Sequence, residues 1–187
     1  MDLKRTIKLC LKRDEQAFKK LYNHYISAFW GITRRYTASP EETDDIVQEA
    51  FIKIFNNLNQ LRDIEHFEAW AKRIIINTAL HAISNKNNSN IDINDYKPEL
   101  PEEDEPRSLT AMDNMGISEL IGLMDHLPAG YKTILNLYAV EEFSHKEIGK
   151  MLNIKEATSR SQYFKAKKAF QKILVEHNLK SHEQYAV

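Results

Sequence analysis

The chain has 187 residues, 42% of them hydrophobic, with five Gly, five Pro and one Cys. This length suits one large or two small domains, and so few Gly and Pro favour compact helical structure over disorder. A formal net charge of −1 excludes attraction of a polyanion by the molecule as a whole, so any nucleic-acid reading must rest on charge segregated along the chain. The lone Cys10 excludes an internal disulfide and a Cys-rich zinc site and points to a reducing, cytoplasmic setting. The first five residues are polar and lead into an amphipathic segment rather than a signal-peptide core. No apolar run approaches the roughly 20 residues that cross a bilayer.

Residues 6–38 carry Ile7, Leu9, Leu11, Ala17, Phe18, Leu21, Tyr22, Tyr25, Ile26, Phe29 and Ile32, largely at helical spacing. Two helices are expected, with a break near Lys12, Arg13 and Asp14. Ser39-Pro40-Glu41-Glu42 supplies a cap, a proline at the first helical position and early acids, so a helix starts there. Its apolar face is Ile46, Val47, Ala50, Phe51, Ile54, Phe55 and Leu58; Asp44, Asp45, Gln48, Glu49 and Lys53 lie off it. A further helix is expected over 64–84, with Phe67, Trp70, Ile74, Ile75, Ala79 and Ile83 apolar and Lys72, Arg73, Asn77, Thr78 and His81 polar. Residues 85–108 are rich in acids and hold Pro98, Pro101 and Pro106, the composition of a flexible acidic linker. Beyond it, helices are expected over 117–127, stopping before Pro128, and over 131–138. The reading is all-α: two helical domains, 1–86 and 111–187, joined by an acidic linker over 87–110.

Residues 144–172 carry the clearest chemistry. Ser144 and Glu147 have capping-box spacing. Ile148, Met151 and Leu152 form an apolar stripe, and Gly149 allows close approach of a second helix. Asn153 tolerates the left-handed backbone that opens a turn. The next helix carries Lys155, Arg160, Lys165, Lys167, Lys168 and Lys172 against one acid, Glu156, and is expected to fade near Asn178. This is the pattern of a helix-turn-helix whose second helix enters the DNA major groove.

Four segments in order, covering nearly the whole length, resemble the extracytoplasmic-function sigma factors, the small two-domain group of the sigma-70 family. Residues 17–22 (Ala-Phe-Lys-Lys-Leu-Tyr) are similar to the start of the family's first domain. Residues 42–55 (Glu-Thr-Asp-Asp-Ile-Val-Gln-Glu-Ala-Phe-Ile-Lys-Ile-Phe) resemble its central helix. Residues 67–74 (Phe-Glu-Ala-Trp-Ala-Lys-Arg-Ile) with Asn77 resemble its promoter-melting and −10 helix. Residues 127–131 (Leu-Pro-Ala-Gly-Tyr) with 144–167 resemble its −35 reader.

The resemblance implies a promoter-specificity subunit of RNA polymerase that makes and breaks no covalent bonds. It implies docking of Asp45, Gln48 and Glu49 on the clamp helices of the polymerase β′ subunit, with Ile46, Val47 and Phe51 split between that contact and the core. It implies −10 recognition by Trp70, Lys72, Arg73, Asn77 and His81, where an amide can bond an extruded base and cations can hold phosphates. It implies −35 recognition by Lys155, Thr158, Arg160, Ser161, Gln162 and Lys165, where Arg can read guanine and Gln adenine. Its partners would be core RNA polymerase, including the β flap, promoter DNA and a membrane-bound anti-sigma factor. By periodicity alone, the acidic face of 40–58 reads as solvated and Trp70 as core. Across the full sequence, the seven His show no metal-ligand spacing with Cys10, and no phosphate-binding Gly loop or nucleophile elbow is present. No cofactor, metal, catalytic residue or small-molecule substrate is expected. The alternative is a stand-alone helix-turn-helix regulator, which accounts for 144–172 but leaves 44–55 and 67–77 unexplained.

Overall fold

The computed structural model describes residues 1–86 and 116–184, and every element among them is helical. The chain divides into two compact units, Met1–Ser89 and Asn90–Val187. The expected acidic linker lies outside the described residues.

The first unit holds α1 (Leu3–Cys10), α2 (Glu15–Arg34), α3 (Pro40–Asn56) and α4 (Phe67–Lys86). Local chemistry sets their starts. Asp2 accepts from the Arg5 amide, Asp14 from the Ala17 amide, and Ser39 from the Glu42 amide, with Pro40 opening α3. Each cap satisfies a donor that the first turn leaves unpaired. The break at 11–14 includes Arg13 with φ 62°. The helix expected from residue 64 begins instead as a 3-10 turn, Ile64–His66, and becomes α-helical only at Phe67. Asp63 explains the tightening, since its carboxylate accepts from Glu65 and its carbonyl from the His66 amide.

The core of this unit joins Leu21, Tyr25 and Phe29 of α2 to Val47, Ala50, Phe51 and Ile54 of α3 and to Phe67, Ala71 and Ile75 of α4. Tyr25 stacks on Phe29 at 5.3 Å, and its hydroxyl donates to Glu68 on α4 at 3.0 Å. The Trp30 indole donates to Asp44 at 2.8 Å, linking α2 to α3. α1 closes the α2 side with Ile7 and Cys10. Burial first, and then Asp14, pushes the Cys10 thiol up to about 11, so it stays protonated and unreactive.

The second unit holds α5 (Ile117–Leu123), a 3-10 turn (Met124–His126), α6 (Ala129–Leu135), a π-helical turn (Asn136–Val140), α7 (His145–Leu152) and α8 (Glu156–Gln184). Met124, Leu127, Tyr131 and Leu135 pack on Ala166 of α8, with Tyr163, Ala169, Phe170 and Ile173 beside them. α8 does not end near Asn178 as expected but continues to Gln184. Residues 173–184 contain no Gly or Pro, so nothing in that stretch breaks the backbone ladder.

Candidate nucleic-acid interface

The helix-turn-helix is built by short-range contacts. The Ser144 hydroxyl accepts from the Glu147 amide, and the Glu147 carboxylate accepts from the Ser144 amide at 3.0 Å, completing the capping box. Asn153 takes the left-handed conformation, φ 55° and ψ 43°, and ends α7. The turn folds back so that the Ile154 amide donates to the Gly149 carbonyl at 2.9 Å. A Cβ on Gly149 would sit 2.8 Å from the Ile154 carbonyl oxygen. Close approach is therefore real, and it is made by the turn itself.

α7 and α8 are braced by a contact that sequence reading did not foresee. His145, only 7% exposed, bonds the hydroxyl of Ser159 at 3.0 Å through Nδ1. Tyr138 stacks on the imidazole at 4.3 Å, and Tyr163 packs on both rings. Burial, and then the neighbouring Arg160 charge, lower the His145 pKa against a smaller opposing pull from Glu156.

The structure divides the six expected reader residues. Lys155, Arg160 and Ser161 are exposed, and Thr158 and Lys165 are half-buried. Gln162, expected to read a base, is only 5% exposed, with its amide oxygen buried. The turn seats α8 with Ser159, Gln162 and Ala166 inward, one helical face at three- and four-residue spacing. Arg160 bonds Glu156 one turn back at 2.7 Å, both side chains being well exposed. Such a pair contributes little to stability, so the guanidinium can exchange partners cheaply. Ser161 donates to the Thr158 carbonyl at 3.0 Å.

On α4, Arg73, Asn77 and His81 are exposed, while Trp70 and Lys72 are half-buried. At about 100° per residue, Trp70, Arg73, Asn77 and His81 share one stripe. Lys72 falls on the far side, one turn after Glu68. Trp70 packs on the core edge, its ring 6.1 Å from Phe67.

On α3, Asp45, Gln48 and Glu49 are exposed and share a stripe. Ile46, expected to be split between contact and core, is 4% exposed and packs on the core side with Val47 and Phe51. Ile52, which the sequence reading passed over, is 60% exposed on the same stripe as Gln48 and Glu49. Its position three residues from Glu49 and four from Gln48 is the signal that could have found it. Glu49 also pairs with Lys53 at 2.7 Å. No group of three metal-ligating side chains occurs among the described residues.

Two family models match the two units: sigma-70 region 2 over residues 21–88 and sigma-70 region 4 over residues 117–170. The chain belongs to the extracytoplasmic-function group of the sigma-70 family. Curated relatives of this sigma factor match along most of both chains. The RNA polymerase sigma-H factor of Pseudomonas aeruginosa is 28% identical over 169 residues, covering 86% of this chain and 88% of that protein. The ECF RNA polymerase sigma factor SigW of Bacillus subtilis is 27% identical over 189 residues, covering 93% and 97%. Among solved structures, the Bartonella quintana sigma factor RpoE, in complex with the anti-sigma factor NepR, has a TM-score of 0.54 at 15% identity, covering 84% of this chain and 96% of that one. CnrH, in complex with the cytosolic domain of CnrY, has a TM-score of 0.50 at 16% identity, covering 94% and 97%. These structural likenesses show the fold. As a sigma factor, the chain directs promoter-specific transcription initiation through RNA polymerase. A regulator built only on its helix-turn-helix is not favoured, because the region 2 match stands outside that motif.

Proposed function

We propose that this sigma factor docks on the β′ clamp helices through the exposed α3 stripe of Asp45, Gln48, Glu49 and Ile52. Its second unit would meet the β flap. The α4 stripe of Trp70, Arg73, Asn77 and His81 takes the melted −10 element, and Lys72, on the opposite side of the helix, stays outside that contact. Extracting a base from the stack costs a few kcal/mol, and an exposed amide such as Asn77 can recover part of it on the freed base edge. The first turns of α8 read the −35 element with Lys155, Thr158, Arg160, Ser161 and Lys165. A bidentate arginine contact to guanine discriminates by about 1–3 kcal/mol, which makes Arg160 the strongest base reader of the set.

The observation that carries the reading is that exposed polar residues on three helices, Asp45, Gln48 and Glu49 of α3, Arg73, Asn77 and His81 of α4, and Arg160 and Ser161 of α8, fall within the two matched sigma regions. The protein acts without catalysing a reaction and without cofactor, metal or small-molecule substrate. It works in the cytoplasm beside the polymerase. No helix among the described residues is long and apolar enough to cross a membrane. A membrane-bound anti-sigma factor is its expected regulator, in keeping with the anti-sigma factor NepR in complex with the structural relative RpoE.

The test is capture of purified core RNA polymerase by the wild-type chain and by Asp45→Lys and Gln48→Ala. Stable capture weakened by both changes is expected. Failure of the wild-type chain to capture its cognate core would return the case to a stand-alone DNA-binding regulator.

A further inference from the structure

Neither the docking face nor the two DNA-reading faces uses α1. Its inner side is committed to packing, with Thr6, Ile7 and Cys10 buried. Its outer side is basic. Lys4, Arg5 and Lys8 are exposed, and the turn beyond adds exposed Lys12 and Arg13. Lys4 and Lys8 stand one above the other on α1, and Lys12 follows in the turn beyond its C-terminus. With Asp2, Arg5 and Leu9 they line an open groove. The two carboxylates of this stretch are engaged by backbone. Asp2 accepts from the Arg5 amide at 2.9 Å and Asp14 from the Ala17 amide at 2.8 Å. Five cations thus stand over two capping acids in a chain whose overall charge is −1.

The position of the stripe matters as much as its charge. α1 packs against the 3-10 turn Ile64–His66, which runs directly into α4. Lys4 lies near enough to that turn to help lower the Asp63 carboxyl, behind the larger effect of the Glu65 amide. The basic groove therefore adjoins the N-terminal end of the helix that carries Trp70 and Arg73.

We infer that the Lys4–Lys8–Lys12 groove of α1 binds the phosphodiester backbone of the unwound promoter strand where it leaves the α4 face. Lysine suits this task, as a compact charge on a flexible stem that meets phosphates without reading bases. The groove holds the strand in register and contributes affinity on any promoter sequence. It rests on the sigma reading above and adds a third nucleic-acid contact to it.

The test uses holoenzyme reconstituted with the full chain, wild type or Lys4→Gln/Lys8→Gln/Lys12→Gln, on promoter DNA carrying a pre-opened mismatched segment. Binding is measured over a range of salt concentrations. On a single strand each phosphate contact contributes about 0.7 to the slope of log affinity against log salt, so losing three contacts lowers the slope by about 2. That drop, with capture of core polymerase unchanged, is the expected result. Lys8→Glu alone should lower affinity further than Lys8→Gln. An unchanged slope with the triple variant overturns the inference and leaves the sigma reading intact. Loss of core capture by the triple variant also overturns it, assigning the groove to an acidic protein surface. If the wild-type chain neither captures core nor opens the promoter, both readings fall together. The three positions are exposed, and an unfolding midpoint matching the wild type confirms that the variant is folded.

Discussion

Gly149 and His145 are single residues on which the geometry of the reader depends. The helix-turn-helix turn brings the Ile154 carbonyl to 2.8 Å from where a Cβ at 149 would stand. That oxygen is backbone and cannot rotate away, so Gly149→Ala must push the turn and α8 outward. The expected cost is about 1–3 kcal/mol, typical of overpacking. It should be read as a lowered unfolding midpoint for the second unit together with weaker −35 selectivity. His145 gives a pH signature. Its pKa in the folded protein lies below the ordinary 6.5 because burial and Arg160 disfavour the cation. The unfolded chain therefore takes up the proton first as pH falls. The stability it contributes is full above about pH 6.5 and is lost as pH drops through that value toward the folded one. Urea midpoints of wild type and His145→Gln, compared across this interval, should converge on acidification. Parallel curves would remove His145 from the linkage.

At the scale of the helix, α3 separates what faces the core from what stands in solvent, the face proposed here to dock. Ile46, Val47, Ala50 and Ile54 are sealed inside, and Asp45, Gln48, Glu49 and Ile52 stand outside. An isoleucine 60% exposed among acids has no packing role to lose. Ile52→Lys should leave the unfolding midpoint unchanged while weakening capture of core polymerase by tenfold or more, corresponding to about 1.4 kcal/mol of lost contact. Equal capture would confine docking to the polar residues. α8 shows the same separation. Arg160 and Ser161 emerge from it, while Gln162 between Ser159 and Ala166 turns inward. Arg160→Ala should therefore relax −35 selectivity, and Gln162→Ala should act through stability instead. Promoter-binding assays run beside thermal melts would separate the two effects.

At the scale of the whole molecule, the two units match two separate sigma regions within a chain of nearly balanced charge. The acids of 85–108, with those of α3, offset the basic ends, so the free chain has no general attraction for DNA. Under the proposed reading, specific affinity requires both DNA-reading faces to be held on one promoter at once, which multiplies weak contacts. The free protein should bind a promoter duplex weakly and lose that binding steeply with salt, and core polymerase should restore it. Tight, promoter-specific binding by the free chain would contradict this. Much of the organisation was legible beforehand. The caps at Ser39 and Ser144, the turn at Asn153 and the helix periodicities are local, decided by neighbours within four residues. The order of the four family-like segments was legible for the same reason. Tertiary structure alone decided the positions at the margins of each stripe. Periodicity assigns a residue to a sector of the helix but not to a side of the boundary where a neighbouring helix lands. So Ile46 and Gln162 went inside, Ile52 stayed out and Trp70 was left half-covered. The His145–Ser159 brace was equally hidden, because its partners are 14 residues apart and only the packing of α7 on α8 brings them together.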